Sequence, residues 1–346
     1  MIELRSQRKV ARLHDPRRDF ALTEIESEVR FDPLTGDSAR ICHFALRVPP
    51  AADLEGIVAR SRASCPFCPE RRERVTPRFP ADVLPAGRLR RGAATVVPNL
   101  FPYDDVSALA VLGDEHFLPM EAIPVQLVVD GLHAARELMQ AALETAQGDT
   151  YGIVTWNYMP PAGASQVHPH LQVIVSRDPG NGLRRTLAAE TRYLGEHGRT
   201  YAADLLAAED REGVRWIGAR GRVAWIAPFT PTGLLGDCAA FFRGRSTLLD
   251  LDAQDVHDFA ASLVALLAAF SRRGLWSFNL CFFPAAFGAM PDVHWLTAKL
   301  LPRFYLNADL HVSDVAYLHL LLEERFAMTR PEEIAPDLRA ALAGAG

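Results

Sequence analysis

One segment of the 346-residue chain restricts its fold more than any other, because it places polar side chains at alternate positions. His168, His170 and Gln172 are each separated by a single residue. Side chains two residues apart point the same way in a β-strand, so this spacing predicts a strand with all three polar groups on one face. The opposite face would carry the intervening residues, which are Pro169 and Leu171 followed by Val173 and Val175.

The polar face of this strand has the composition of a phosphate-transfer site. An imidazole can attack phosphorus as a nucleophile, and a neighbouring amide can bind a phosphoryl oxygen. The preceding loop contains Gly163 and Ser165, which offer close backbone approach and a hydroxyl donor. The alternative is a half-buried strand whose histidines only form hydrogen bonds, and for an isolated His-x-His this alternative is favoured. The other motifs of the chain therefore decide between the two.

Composition limits the classes of protein to which the chain can belong. Its length is typical of about two domains. The net charge of −5 gives no electrostatic reason to expect a nucleic-acid polymer as partner. No apolar run approaches the roughly 18 residues that span a bilayer, and the N-terminus lacks the hydrophobic core of a secretory signal. Five cysteines, three of them widely scattered, argue against a disulfide framework and predict a reducing cytoplasm.

The apolar pattern predicts two halves with the same order of elements. Extended segments at 24–31 and 39–48 flank an N-terminal turn, and a polar helical stretch at 183–212 connects the halves. The elements predicted for the halves are strands at 94–98 and 108–112, a helix at 130–145, strands at 150–157 and 168–176, strands at 223–229 and 238–242, a helix at 251–273, strands at 277–283 and 294–304, and a closing helix at 312–328. The repeated order strand-strand-helix-strand-strand predicts a tandem α+β architecture.

A Cys-x-x-Cys pair, Cys65 and Cys68, is the second chemically informative motif. Such a turn presents two thiolates to one tetrahedral metal ion. The competing interpretation is a thioredoxin-type redox pair, but the Arg-rich, proline-broken flanks predict no helix after the pair. No second Cys-x-x-Cys exists, so histidine must complete a zinc site, and His116 and His168 are the candidates. A surface thiol pair without metal is the remaining alternative.

Taken together, the motifs resemble those of the galactose-1-phosphate uridylyltransferase family, a branch of the histidine-triad superfamily. The resemblance covers about residues 25–176. The motifs occur in the order Arg30-Phe-Asp-Pro-Leu-Thr-Gly36, Cys65-x-x-Cys68, Asn99-Leu-Phe-Pro102, His116, and Asn157-x5-Gly163-Ala-Ser165-x2-His168-Pro-His170-x-Gln172. The resemblance implies two histidine-triad-like domains in tandem, each an antiparallel sheet with packed helices. We expect the first to span 1–205 and carry the catalytic and zinc sites, and the second, degenerate one to span 206–346.

The resemblance also implies a role for each matching residue. His170 would attack the α-phosphorus of a nucleotide-sugar and carry the nucleoside monophosphate covalently. Gln172 and Ser165 would complete the catalytic group. The other implied residues are Arg30, Asn99, Phe101, Asn157, Gly163 and Ala164 for substrate binding, and Cys65, Cys68, His116 and His168 as ligands of one structural zinc ion. Two alternatives remain: Asn99 as a turn residue only, and Arg30 as a solvated surface charge.

The chain also departs from the family pattern. A second metal site, which family members often build with a His-x-His pair shortly after a tryptophan, is not expected, because no such pair follows His294-Trp295. Lys299 and Arg303 instead occupy this region, where each faces either a phosphate or solvent. The residue before Ser165 is Ala164, and the loop carries Pro160-Pro161 in place of the small residues usual there, which predicts an altered acceptor pocket.

The leading hypothesis is therefore a ping-pong nucleotidyltransferase with nucleotide-sugar and phosphate-ester small molecules as partners. A phosphorylase that uses an ADP-sugar or a dinucleoside polyphosphate is the close alternative, and a non-catalytic nucleotide-binding protein is the distant one. Hydrolytic histidine-triad proteins place a third histidine where this chain has Gln172, so the glutamine favours transfer over hydrolysis. The resemblance further implies a homodimer. No membrane partner is expected.

Overall fold

The computed structural model describes residues 2–42, 53–144, 146 and 148–345. Its strands are β1 Arg5–Asp15, β2 Ala21–Phe31, β3 Ser38–Cys42, β4 Leu89–Arg91, β5 Ala94–Pro98, β6 Val106–Leu112, β7 Tyr151–Tyr158, β8 His170–Ser176, β9 Trp216–Arg220, β10 Val223–Ile226, β11 Cys238–Phe242, β12 Ser277–Phe283, β13 Thr297–Arg303, β14 Tyr305–Asn307, β15 Val312–Ser313 and β16 Arg325–Ala327. Its helices are α1 Leu54–Arg62, α2 Pro69–Val75, α3 Val125–Leu143, α4 Asn181–His197, α5 Tyr201–Glu212, α6 Ala253–Arg272, α7 Tyr317–Leu320 and α8 Pro331–Ala343.

Strands from both halves of the chain form one ten-stranded antiparallel sheet. Its order is β4-β5-β6-β8-β7-β12-β13-β11-β10-β9. The halves meet where β7 pairs with β12, and Asn157 lies directly opposite Asn279 there. A separate four-stranded sheet joins β1, β2 and β3 to β16 near the C-terminus. The predicted α+β class with antiparallel sheets is confirmed, while the domain boundary at residue 205 stays a prediction.

The main core lies on one face of the large sheet, under α3, α6 and α8. Leu171, Val173 and Val175 of β8 point into it, as the alternation predicted. A smaller apolar cluster on the other face packs α5 against β10 and β11. Helix α6 is long and apolar enough to cross a membrane, but 67% of its apolar stretch is buried inside the protein, as in a core helix.

The two core helices were predicted within a few residues of their observed ends, because apolar periodicity continues through each. Residue 145 of the first prediction and residues 43–48 of the N-terminal segment lie outside the described residues. The polar stretch at 183–212 forms two helices, α4 and α5, because Gly198 ends the first in a left-handed conformation. The prediction of a closing helix at 312–328 was wrong: this region contains β15, α7 and β16.

The prediction that no helix follows the cysteine pair was also wrong. Helix α2 begins at Pro69, directly after Cys68. Proline suits the first position of a helix, because that position needs no intrahelical N–H donor and already has the φ angle of proline. The element that precedes the pair is helix α1 and not a strand, so the arrangement differs from that of a thioredoxin-type motif.

Candidate active site and metal centre

His170 is the first residue of β8, and its side chain is buried on the face opposite the main core. Its Nδ1 lies 2.8 Å from the backbone oxygen of His168. A carbonyl oxygen only accepts hydrogen bonds, so Nδ1 carries the proton and Nε2 keeps its lone pair. Burial lowers the pKa of His170, which favours this neutral form. The ring of Phe67 packs against the imidazole at 5.1 Å between centroids.

Gln172 lies two residues further along β8, on the same face as His170. Its Oε1 accepts a 2.7 Å hydrogen bond from the hydroxyl of Tyr103. Because the oxygen is engaged, the side-chain NH2 group is the part of the amide that remains to donate to a ligand. Sequence reasoning missed Tyr103, although this tyrosine lies just beyond the Asn99-Leu-Phe-Pro102 motif.

The loop between β7 and β8 has a strained backbone. Met159 is buried at φ +68°, a region that side chains rarely occupy, and Gly163 has φ +80°. The N–H groups of Gly163 and Ala164 donate to the carbonyls of Pro160 and Met159 at 2.9 and 3.4 Å. Ser165 is exposed beyond them. The loop thus holds a compact turn and leaves the Ser165 hydroxyl accessible.

A polar network from the second half of the chain supports this loop. Asn279 on β12 donates to Asn157 Oδ1 at 2.7 Å and to the carbonyl of Ala162 at 2.9 Å. The Oδ1 of Asn279 in turn accepts from Arg303 at 2.5 Å. The Nε of Arg303 lies 2.9 Å from a carboxylate oxygen of buried Asp314. The Arg303 side chain therefore binds Asp314 and Asn279. This placement differs from both expectations for Arg303, which were a side chain facing solvent and a side chain facing a phosphate.

The Asn99 loop forms a turn beside Tyr103. Asn99 Oδ1 accepts the backbone N–H of Phe101 at 3.1 Å, which fits the turn-residue alternative. The side chain of Phe101 is 79% exposed, and Leu100 beside it is also exposed. Because Tyr103 contacts Gln172, this apolar surface borders the polar face of β8. A nucleoside could stack there, and the binding role of Asn99 and Phe101 stays a prediction.

Arg30 is placed differently from the other predicted substrate ligands. It is buried and forms ion pairs with Glu28 at 3.1 Å and with Glu332 at 2.9 Å. Its guanidinium also donates to the carbonyl of Phe229 and stacks over that ring at 4.6 Å. These contacts engage all five N–H donors, so Arg30 is not the solvated charge of the alternative. Its contacts are structural, and the phosphate contact stays a prediction.

The four predicted metal ligands lie together. One ligand atom from each of Cys65, Cys68, His116 and His168 falls within 4.8 Å of the others, and all four side chains are buried. Cys68 Sγ is 3.4 Å from His116 Nδ1 and 3.8 Å from His168 Nδ1. Ligands of a tetrahedral zinc ion are separated by about 3.5 Å when Zn–S is about 2.3 Å and Zn–N about 2.0 Å. The donor set therefore fits one structural zinc ion with no open coordination position.

The surroundings orient these ligands. His116 Nε2 lies 2.9 Å from Ser61 Oγ, and His168 Nε2 lies 3.2 Å from the carbonyl of Gly113, so each imidazole presents Nδ1 to the centre. Arg72 also ties the cysteine loop to the His116 loop, through the carbonyls of Phe67 and Gly113. Burial lowers the pKa of His168 to about 4, which keeps its imidazole in the neutral form that a metal binds.

No protein-family model matches the chain. An uncharacterized protein of Archaeoglobus fulgidus is 27% identical over 315 residues, which cover 90% of this chain and 91% of that protein. The aligned region is 315 residues long, so it includes residues of both halves of the chain.

Solved structures show the class of fold. An ADP-glucose phosphorylase from Arabidopsis thaliana with bound ADP-glucose has a TM-score of 0.68 and 17% identity, over 90% of this chain and 98% of that one. A galactose-1-phosphate uridylyltransferase-like protein from the same plant gives the same values. A uridylyltransferase has a TM-score of 0.66 and 21% identity, over 91% and 98% of the two chains. The molecule thus has the galactose-1-phosphate uridylyltransferase-like fold, which confirms the fold that the sequence resemblance implied.

Proposed function

We propose that this protein is a nucleotidyltransferase that works through a covalent nucleotidyl-His170 intermediate. The observation that carries this proposal is the hydrogen bond from His170 Nδ1 to the carbonyl of His168 at 2.8 Å. This bond fixes the tautomer in which Nε2 is an unprotonated nucleophile at neutral pH. The similarity to a uridylyltransferase and to an ADP-glucose phosphorylase supports the same chemistry.

In the first step, the Nε2 lone pair attacks the α-phosphorus of a nucleoside diphosphate-sugar. A P–N bond forms, the bridging P–O bond breaks, and its electron pair leaves with the sugar 1-phosphate. In the second step an acceptor phosphate oxygen attacks the same phosphorus and releases the imidazole. We assign the Gln172 NH2 group to the transferred phosphoryl group. The Ser165 hydroxyl, on the loop that also contains Gly163 and Ala164, is assigned to the phosphate that is not transferred.

The metal centre has a structural role in this proposal. Cys65, Cys68, His116 and His168 would hold one zinc ion, and four protein ligands leave no position for a substrate. Zinc would supply a clamp between the cysteine loop and the strand that carries His170. The backbone carbonyl of His168 accepts the hydrogen bond from His170 Nδ1, so the clamp would also fix the orientation of the nucleophile. We place such a protein with reduced cysteines in the cytoplasm.

Two acceptors are candidates for the second step. A sugar 1-phosphate would make the enzyme a hexose-1-phosphate uridylyltransferase, whereas inorganic phosphate would make it an ADP-sugar phosphorylase. A uridylyltransferase and an ADP-glucose phosphorylase have nearly equal TM-scores to this chain, so both acceptors are proposed for testing. The non-catalytic alternative is disfavoured because His170 keeps an Nε2 lone pair and Gln172 keeps an NH2 donor on the same face of β8.

Intact-protein mass spectrometry tests the intermediate. After incubation with UDP-glucose or ADP-glucose, we expect an added mass of one nucleoside monophosphate that is lost in acid. The adduct should be absent in His170→Ala and present in His257→Ala, which removes an exposed histidine on α6. An adduct that persists in His170→Ala would refute the assignment.

The acceptor is identified by chasing the isolated adduct. Glucose 1-phosphate, galactose 1-phosphate and inorganic phosphate are added separately, and loss of the protein-bound mass is timed. The transferase proposal expects rapid discharge by one of these and slow discharge by water alone. Discharge that is equally fast in water would identify a hydrolase instead.

A further inference from the structure

A cavity of about 200 Å³ lies on the face of the large sheet that packs against α4 and α5, in the second half of the chain. In the described part of the chain, no member of the His170 group or of the four metal ligands lines it. Its apolar wall is formed by Leu34, Leu205, Ile226, Phe229, Phe241 and Phe283. An engineered cavity of about 150 Å³ binds benzene, so this space is large enough for a small organic molecule.

One unpaired cation faces this cavity. Lys299 on β13 lines the wall, and its Nζ lies 5.3 Å from the centroid of the Phe283 ring. Among the described residues, its ammonium has no hydrogen-bond or ion-pair partner. Burial lowers the pKa of Lys299, as expected for a charge that lacks a partner. The chain contains only one other lysine, Lys9, which is exposed on β1.

One unpaired anion lines the same cavity. The carboxylate of Asp237 is 1% exposed, and both of its oxygens accept from the backbone N–H of Thr232 at 3.2 Å. No cation of the described chain lies within the 4.0 Å ion-pair distance of Asp237, so it is not bonded to Lys299. Burial raises the pKa of Asp237 to about 6. Two opposite charges, buried Asp237 and half-buried Lys299, thus border one space without contacting each other.

The other charges around the cavity already have partners. Asp32 pairs with Arg325 at 3.0 Å. Asp37, Glu190, Glu209 and Arg185 also have ion-pair partners, which are Arg325, His294, Arg215 and Glu323 respectively. A ligand would therefore meet two unsatisfied charges of opposite sign. A charge without a partner in a protein interior is strongly unfavourable. A ligand that pairs with both Lys299 and Asp237 would remove this free-energy cost for each of them.

We propose that this cavity binds a small zwitterion, an α-amino acid with an apolar side chain, by pairing its carboxylate with Lys299 and its ammonium with Asp237. An organic anion would leave Asp237 unpaired, and an organic amine would leave Lys299 unpaired. The apolar side chain would contact the wall that contains Ile226 and Phe229. The site is separate from His170, so the proposal does not depend on the nucleotidyltransferase activity.

Calorimetric titration of the full-length protein tests the charge requirement without any mutation. L-Leucine and L-phenylalanine are compared with 4-methylpentanoate, which lacks the amino group of leucine, and with 3-methylbutylamine, which lacks its carboxylate. We expect at least one amino acid to bind, and its one-charge analogues to bind at least about tenfold more weakly. No binding by either amino acid at millimolar concentration, or equal binding by an analogue, would overturn the proposal.

The location is tested by NMR, because the chain has only two lysines. With ¹³C-labelled lysine, we expect the Cε signal of Lys299 to shift as the amino acid is added, while the signal of Lys9 stays in place. Lys299→Met should remove both the shifting signal and the calorimetric binding, with an unchanged circular dichroism spectrum. Amino-acid binding that leaves both lysine signals unmoved would place the ligand elsewhere and refute the assignment.

Discussion

At the scale of single residues, the chemistry of the proposed active site depends on which atoms are already engaged. His170 uses Nδ1 for the carbonyl of His168, and Gln172 uses Oε1 for Tyr103. Each bond leaves the opposite end of the side chain available, a lone pair in one case and two N–H donors in the other. The two functional groups on this face are thereby oriented before a substrate arrives, which is the condition for electrostatic stabilisation of a transition state.

The alternation of His170 and Gln172 was sufficient to predict the polar face of β8, because a strand repeats every two residues. The residues that orient this face could not be predicted in the same way. Tyr103 lies 69 positions from Gln172 along the chain, and Asn279 lies 122 positions from Asn157. Their contacts follow from the pairing of distant strands, and no local pattern encodes that pairing. The four metal ligands were predictable because zinc restricts ligand type and number.

Asp237 gives a pH-dependent prediction for the free protein. Its pKa is about 6 in the folded chain, against an ordinary value of 3.8. A carboxyl with a raised folded pKa opposes folding once it is ionised. The contribution of Asp237 to the free energy of unfolding therefore falls as the pH rises from about 4 to about 6, and this loss is complete above that window.

We expect Asp237→Asn to raise the free energy of unfolding by about 2–3 kcal/mol at pH 7.5 and by less than half of that at pH 4.5. The amide oxygen of asparagine can still accept from Thr232, so the backbone contact is kept. Urea denaturation of both proteins at several pH values measures the difference. A difference that is independent of pH would contradict the assignment to Asp237.

At the scale of elements, the loop between β7 and β8 depends on glycine at position 163. Its φ of +80° lies in the left-handed region, and a Cβ there would meet no atom within 4 Å. A side chain at this position would therefore cost backbone energy only. We expect Gly163→Ala to destabilise the protein by about 1–2 kcal/mol.

Gly195 is the matched control, because it lies in α4 with an ordinary φ and also has open space around it. Gly195→Ala should stabilise the protein by about 0.5–1 kcal/mol, since alanine loses less conformational freedom in a helix. Both variants are compared with the wild type by urea denaturation. Equal effects of the two substitutions would show that the Gly163 conformation is not required.

The four predicted metal ligands come from three segments, which are the cysteine loop between α1 and α2, the loop that carries His116, and the residues just before β8. We expect metal analysis to find about one zinc ion per chain. Cys65→Ser should lower this content sharply and destabilise the fold by several kcal/mol, because metal binding contributes directly to folding. Cys42→Ser, at a cysteine outside the group, serves as control. A zinc-free wild type that keeps its stability in a chelator would contradict the clamp.

The region that was predicted wrongly shows where element prediction fails. The apolar residues at 312–328 resemble a helical repeat, yet Leu320, Leu321 and Leu322 point outward. The C-terminal helix begins instead at Pro331, the residue type that commonly opens a helix. Apolar periodicity predicts a helix that packs on a core of its own chain. It fails when the apolar residues face away from that core.

At the scale of the whole molecule, the sheet is a single structure to which both halves contribute. The β7–β12 pair brings Asn279 of the second half beside Asn157 of the first. Arg303 and Asp314, also in the second half, continue this hydrogen-bond network. The second half of the chain therefore helps to position the loop before His170, although its sequence motifs gave no indication of this role. The second half also contains the unpaired charges of Lys299 and Asp237, so it has a binding role of its own in our proposal.

The surface of the second half gives the last prediction, which concerns the homodimer that the sequence resemblance implied. Leu310, Tyr317 and Leu320–Leu322 are all more than 60% exposed within one short segment. Exposed apolar residues at this density mark interaction surfaces on soluble proteins. We expect light scattering after size exclusion to give about twice the 38.1 kDa of one chain. Leu321→Glu should shift the protein to the monomer, because burying a carboxylate in an apolar interface is unfavourable.

Met290→Glu is the control for this experiment, since Met290 is an exposed apolar residue on a different loop. It should leave the dimer intact if the segment that contains Leu321 forms the interface. A wild-type protein that elutes as a monomer at micromolar concentration would refute the dimer itself. A dimer that tolerates Leu321→Glu but is broken by Met290→Glu would move the interface to the other loop. Leu320–Leu322 directly precede β16, and β16 pairs with β3 of the N-terminal sheet. An interface at these leucines would therefore lie beside a strand pair that joins the N-terminal and C-terminal parts of the chain.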